Sequence, residues 1–189
     1  MENKKIGLFV GSLRKEANSK KIAEQLKKAA PSGFEFVIVP MGQLPLYNQD
    51  FDDDNEVPET YVSFRKEVAQ LDGVIFITPE YNRSVPAVLK NAIDVASRPY
   101  GKNMWYGKPG AVISSSSGSI SGFGANHHLR QSLTFLNVPT LQQPEAYLAN
   151  LTPDSFNEDG SFKDPKTTSF LQKITAAYIE WFRLLKKQS

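Results

Sequence analysis

The sequence contains no cysteine. A disulfide framework, a thiolate metal site and a cysteine nucleophile are therefore excluded. Histidine is scarce: there are two, His127 and His128, side by side. Adjacent positions point to opposite sides of a helix or strand, which makes a poor metal site, so a structural or interface role is expected. No apolar run approaches the roughly 18 residues needed to cross a bilayer. The start, Met1-Glu2-Asn3-Lys4-Lys5, leads directly into an apolar segment, so no signal peptide is expected. These features fit a cytoplasmic protein. Neither sign of charge is in excess: 22 basic and 20 acidic residues leave a net +2, too little to suggest a nucleic-acid partner. With 189 residues, 40% of them hydrophobic, the chain can build one domain, 1–189, with a full core.

Strands and helices alternate along the chain, with no repeat and no low-complexity segment. Ile6, Leu8, Phe9 and Val10 form a continuous apolar run ending at Gly11, as a strand buried on both faces does. Residues 19–30 read as a helix with Ile22, Leu26 and Ala29 inward. A second strand runs from Phe34 to Val39. A long loop, 41–57, carries Leu44-Pro45-Leu46-Tyr47-Asn48 and Asp52-Asp53-Asp54. Thr60 is the expected cap of a helix that aligns Tyr61, Phe64, Val68 and Leu71. Strands 73–78 and 110–114 flank a helix over 86–97. Leu129, Leu133 and Leu136 mark the next helix, and a fifth strand is expected near 138–141. The last helix places Phe170, Ile174, Tyr178, Trp181 and Leu185 on one face. Alternation of this kind predicts an α/β fold with a doubly wound, five-stranded parallel sheet and helices on both faces. The commonest five-stranded arrangement is the flavodoxin-like order 2-1-3-4-5, whose ligand lies at the switch between strands 1 and 3.

Two unusual loops follow those two strands. The first, Gly11-Ser12-Leu13-Arg14-Lys15-Glu16-Ala17-Asn18-Ser19, is neither a Rossmann fingerprint nor a P-loop. It is still rich in groups that suit a phosphate monoester: Ser12, Arg14, Ser19 and the free N–H groups of a helix start. The second, Thr78-Pro79-Glu80-Tyr81-Asn82-Arg83-Ser84-Val85-Pro86, is stiffened at both ends by proline. Its backbone groups suit the polar edge of a planar heterocycle, and Tyr81 can pack on the ring. The Glu80 side chain is expected to serve a helix start and to pair with Lys90. A third loop, Ser114 to Gly118, can complete the pocket with N–H donors. Phosphate and planar ring together describe a mononucleotide cofactor such as FMN.

The segments Gly-Ser-Leu-Arg…Asn-Ser, Leu-Pro-Leu-Tyr-Asn, Thr-Pro-Glu-Tyr-Asn-x-Ser-Val-Pro…Leu-Lys-Asn-Ala-Ile-Asp and Gly-Lys-Pro together resemble the NADPH-dependent FMN reductase family, which includes bacterial chromate, quinone and azo reductases. The likeness spans about residues 5–140. It implies a flavodoxin-like fold, tightly bound FMN, NADPH or NADH as co-substrate, and a homodimer or a tetramer. It also implies that Ser12, Arg14, Asn18 and Ser19 hold the phosphate. Pro79, Glu80, Tyr81 and Asn82 would line the isoalloxazine, with Ser115 and Gly118 on its far edge.

The expected activity is hydride transfer from NAD(P)H to FMN, followed by reduction of a small-molecule acceptor: a quinone, azo or nitro compound, metal oxyanion or free flavin. The chemistry belongs to the cofactor, so no catalytic side chain and no metal are expected. Tyr47, Asn48 and Arg83 are candidate substrate-binding residues, Arg83 because a guanidinium suits a pyrophosphate. The other reading is a flavodoxin-like electron carrier. Such carriers are usually strongly acidic to dock on basic partners, and this chain is not. Leu46 and an aromatic cluster, Tyr100, Met104, Trp105 and Tyr106, are expected to be exposed and to build a dimer interface near the sites.

Overall fold

The apolar runs become the buried strands of one parallel sheet. The computed structural model describes residues 3–187, so Met1 and Glu2 of the expected start lie outside the described residues. The elements are β1 (Lys4–Val10), α1 (Asn18–Lys28), β2 (Phe34–Ile38), α2 (Asp50–Asp53), α3 (Glu59–Ala69), β3 (Gly73–Pro79), α4 (Ala87–Ala96), β4 (Gly110–Ser115), α5 (Phe123–Phe135), β5 (Ala146–Leu148) and α6 (Pro165–Lys186). The strand order is β2-β1-β3-β4-β5, all parallel, as expected for the flavodoxin-like arrangement.

Period-two alternation divides the strand side chains between two cores. Ile6, Leu8, Ile75, Ile77 and Ile113 face α1 and α6, where they meet Ile22, Leu26, Ile174 and Tyr178. Phe9, Val74, Phe76 and Val112 face the other way, onto Phe64, Leu89, Ile93, Leu129 and Leu133 of α3, α4 and α5.

Several local expectations need correction. The fifth strand is not at 138–141. That segment makes one isolated parallel bridge, Gly110 to Thr140, and the ladder to β4 is made by Ala146–Leu148. The bridge consists of the Gly110 N–H donating to the Pro139 carbonyl and the Leu141 N–H donating to the Gly110 carbonyl; Pro139 and Pro144, neither able to donate, bound this short contact on either side. Thr60 does not cap its helix, which starts at Glu59 behind Pro58 without a side-chain cap. Residues 41–57 are not all loop, since Asp50–Asp53 form the single turn α2. The buried face of α6 is centred on Leu171, Ile174, Tyr178 and Phe182, which leaves Phe170 and Trp181 at its margin. Trp105 is fully buried among Phe9, Phe64 and Phe76, with its Nε1 donating to the Ile93 carbonyl at 3.0 Å. Only Tyr100 and Tyr106 of that cluster are strongly exposed.

The Tyr178 hydroxyl, wholly buried, donates to the Pro109 carbonyl at 3.1 Å. It occupies the space a Cβ at Gly73 would need. Burial pushes this phenol far above its ordinary 10.0. The folded state therefore holds Tyr178 neutral while the unfolded chain ionises it. Its contribution to stability is complete below about pH 10 and declines as pH rises beyond that. Urea midpoints measured between about pH 9 and 11 should fall in the wild type and fall less steeply in Tyr178→Phe. Equal slopes would show that other groups govern alkaline unfolding.

Candidate functional site

The carboxyl ends of β1 and β3 are adjacent, and the chain leaves them toward opposite faces of the sheet. A cavity of about 340 Å³ opens there. Its wall comes from Ser12, Arg14, Ala17, Asn18 and Ser19 after β1, from Pro79, Glu80 and Tyr81 after β3, and from Ser115, Ser116 and Ser117 after β4. Leu151, Thr152 and Pro153 complete it.

One end of this cavity is built for an acceptor-rich group. Ala17 occupies the N-cap of α1 and offers no side-chain cap, so the first N–H groups of the helix are left without an intrahelical partner. The Ser19 hydroxyl is buried and has no hydrogen-bond partner. A buried, unsatisfied hydroxyl beside open helix N–H groups is costly unless a ligand completes it. Arg14 is exposed at the same rim. Ser12 Oγ accepts from the Arg14 N–H at 3.4 Å. Asn18 is partly committed elsewhere, with its amide donating to the Leu151 carbonyl at 2.8 Å and so tethering the 151–153 segment to the site. These residues fit a phosphate.

The second wall is a tight hairpin. Tyr81 and Ser84 exchange two backbone hydrogen bonds, 3.1 and 3.0 Å, around Asn82 and Arg83. Both central residues are left-handed, φ 51° and 64°, the type I′ pattern. Asparagine tolerates this conformation; arginine is strained in it. The turn directs Tyr81 across the cavity, where its hydroxyl meets Ser12 Oγ at 3.1 Å. Glu80 does not pair with Lys90, which instead bonds Asp94 one turn along α4 at 2.7 Å. Its carboxylate bonds Arg83 at 3.2 Å and the Ala125 N–H at 3.1 Å. The helix start it serves is that of α5.

Not every candidate residue reaches the cavity. Asn82 and Arg83 sit at the tip of the hairpin, and Gly118 lies just past the lining serines. Tyr47 and Asn48 are outside the lining. The Tyr47 ring stacks on Tyr61 at 6.2 Å, and its hydroxyl is buried near Asp52 without a hydrogen bond. Burial first, and the Asp52 charge second, raise its pKa. Asn48 is exposed and bonds Asp50. The loop around them is pinned by Asn91 on α4, which accepts from the Tyr47 N–H at 2.8 Å and donates to the Pro45 carbonyl at 2.9 Å. Tyr61 Oη adds a bond to the Leu46 carbonyl at 2.8 Å. Ala17, Ser116, Ser117 and the 151–153 segment also line the cavity, although none was a candidate site residue. The serine run itself pointed to the middle pair. Nothing local marks 151–153, because its link to the site is the Asn18 amide, 133 positions away in the chain.

A family model described as NADPH-dependent FMN reductase matches residues 4–153. The chain belongs to that family. It is an oxidoreductase that uses FMN and NAD(P)H. A quinone reductase of Pseudomonas putida is 51% identical over 179 residues, 95% of each chain. A 2-hydroxy-1,4-benzoquinone reductase of a Burkholderia species is 42% identical, over 95% of this chain and 96% of its own. Among solved structures, FerB of Paracoccus denitrificans, a flavoenzyme NAD(P)H:(acceptor) oxidoreductase, superposes with a TM-score of 0.87 at 40% identity. That match covers 95% of this reductase and 97% of FerB.

Proposed function

We propose that this reductase takes electrons from NAD(P)H and delivers them to quinones, with FMN held in the cavity between the β1, β3 and β4 loops. The observation that carries the cofactor placement is the buried, unpartnered Ser19 hydroxyl at the open N-terminus of α1. The acceptor class rests on the relatives whose names specify quinones. Ser12, Ser19, the first N–H groups of α1 and Arg14 hold the phosphate, assisted by Asn18. Pro79, Glu80 and Tyr81 line one edge of the isoalloxazine, with Asn82 at the turn beside them. Ser115 and its neighbours up to Gly118 would line the other edge, with the Ser116 and Gly118 N–H groups engaged by the Leu148 carbonyl and Ser116 Oγ. The two-electron chemistry, hydride in from NAD(P)H and out to the acceptor, is that of bound FMN. The chain contributes binding, orientation and a fixed electrostatic surround. Arg83 at the hairpin tip is placed to meet the phosphates of the pyridine nucleotide. The co-substrate supports a cytoplasmic location.

Steady-state oxidation of NADH and NADPH against a panel of benzoquinones, azo dyes, nitro compounds and free FMN tests the assignment. Benzoquinones should give the highest kcat/KM with either nucleotide. Turnover confined to free flavin or azo dyes would overturn the quinone reading.

Arg14→Ala should weaken FMN binding to the apoprotein by about 1.5–3 kcal/mol, the scale of a hydrogen bond to a charged group. Unchanged affinity in a fluorescence titration would return Arg14 to the surface.

Assembly as a homodimer belongs to the same proposal. Leu46 and Tyr100 expose large apolar surface, 77% and 91%, and a planar acceptor needs a second wall that a partner loop supplies. Sedimentation equilibrium at micromolar concentration should show the dimer. A monomer with full FMN content and full turnover would refute the shared wall.

A further inference from the structure

The Glu80 side chain stands at the joint between the two loops that face each other across the cavity. It is 9% exposed. Its Oε2 accepts the N–H of Ala125, the third residue of α5, at 3.1 Å, and its Oε1 pairs with Arg83 at 3.2 Å. The fit is close. A Cβ at Gly124 would lie 2.6 Å from the Arg83 carbonyl oxygen and 3.0 Å from Glu80 Oε2. The hairpin can seat on α5 only because residue 124 has no side chain. The start of α5 is also the end of the serine loop, since Ser121 and Asn150 both donate to the Gly118 carbonyl and Gly122 is the N-cap. One carboxylate thus sets the spacing of both walls.

We propose that Glu80 is a positioning residue for the cofactor. Its carboxylate locks the 79–84 hairpin to the N-terminus of α5, so that the two edges of a planar ring meet walls of fixed separation. The proposal rests on the reading that FMN occupies this cavity. A carboxylate on a helix N–H gains from both charge-assisted hydrogen bonding and the helix dipole. Without it, the left-handed turn at Asn82 and Arg83 keeps its two backbone bonds and a Ser84–His128 contact of 3.0 Å. Those contacts hold the turn's shape while the Glu80 tie to Ala125 is lost. The phosphate end is built on α1 and does not depend on Glu80.

Three variants test this: Glu80→Ala, Glu80→Gln and Gly124→Ala. The probe is FMN added to apoprotein, read by dissociation constant and by the visible absorption band, which reports the surroundings of the ring. Wild type should bind FMN with a shifted band. Glu80→Ala should raise Kd about ten- to hundredfold and return the band toward that of free FMN. Glu80→Gln keeps an oxygen that can accept from Ala125 and should stay within about fivefold of wild type. Gly124→Ala should behave like Glu80→Ala, and it carries the test if Glu80→Ala does not fold. Wild-type Kd and band in both alanine variants, even with a lowered melting temperature, would make Glu80 a stability residue and overturn the proposal. Equal impairment of Glu80→Ala and Glu80→Gln would show that an oxygen accepting from Ala125 does not set the spacing, and would overturn the proposal. Failure of wild type to bind FMN would overturn the reading of the cavity and this proposal with it.

Discussion

Replacing Arg65 with alanine is expected to lower stability by about 3–5 kcal/mol, because it leaves a carboxylate stranded inside the protein. The guanidinium grips Asp52 with two bonds, 2.6 and 2.7 Å, and its Nε donates to the Val95 carbonyl at 2.9 Å. Both side chains are buried, 9% exposed for Arg65 and 5% for Asp52. The guanidinium also lies over the Tyr61 ring, 5.3 Å from its centroid. An exposed pair of the same geometry would matter little; these two side chains are largely shielded from water. For a chain of this length the melting temperature should fall by roughly 6–20 °C. The double variant Asp52→Ala/Arg65→Ala should recover part of the loss, since no lone charge is then buried. A loss below about 1 kcal/mol for Arg65→Ala in urea unfolding would show that water reaches Asp52 freely. Because Asp52 lies in α2, the variant should also loosen the segment that carries Leu46, Tyr47 and Asn48.

Trp105→Ala should cost a similar amount, about 3–5 kcal/mol, for a different reason. The indole fills the space between the sheet and α3. Its ring centroid lies 5.0 Å from Phe9, 5.6 Å from Phe76 and 6.4 Å from Phe64. Truncation removes dispersion contacts on all sides and leaves a void that rigid neighbours cannot close. Trp105→Phe separates the two contributions. It keeps much of the volume but loses the indole bond to the Ile93 carbonyl, which still accepts the Ser97 N–H at 3.1 Å, so about 0.5–1.5 kcal/mol of destabilisation should remain for the hydrogen bond. A Trp105→Ala variant with wild-type urea midpoint would contradict the burial.

The central strands were legible because strands covered on both faces carry apolar residues without interruption, as Val74-Ile75-Phe76-Ile77 does. The switch point was legible because two loops with unusual chemistry followed the two strands that flank it. What escaped was decided by distant partners. Val138-Pro139-Thr140-Leu141 has strand-like side chains, but Pro139 cannot donate and the segment makes a single bridge, whereas Ala146-Tyr147-Leu148 is too short to announce itself. Asp52 looked like part of a solvated acidic run; Arg65, 13 residues on, makes it a buried partner. Trp105 looked exposed among Tyr100 and Tyr106, because nothing in that stretch records that it folds back under Ile93. The Glu80 partner was sought on the helix that follows its loop, where Lys90 is taken by Asp94, and was found on α5. The cavity wall after β1 was legible in Ser12, Arg14 and Ser19, while the 151–153 wall had no local signature.

The left-handed backbone at Arg83 has a consequence for anyone selecting heat-tolerant variants of this reductase. Glycine would relax that turn, so a screen scored on survival alone will tend to discard the arginine. The same exchange deletes the charged partner of Glu80 and the guanidinium at the tip of the hairpin. Thermal robustness and the nucleotide contact proposed for Arg83 would therefore compete for one position, and libraries that include residue 83 should be ranked on both traits together.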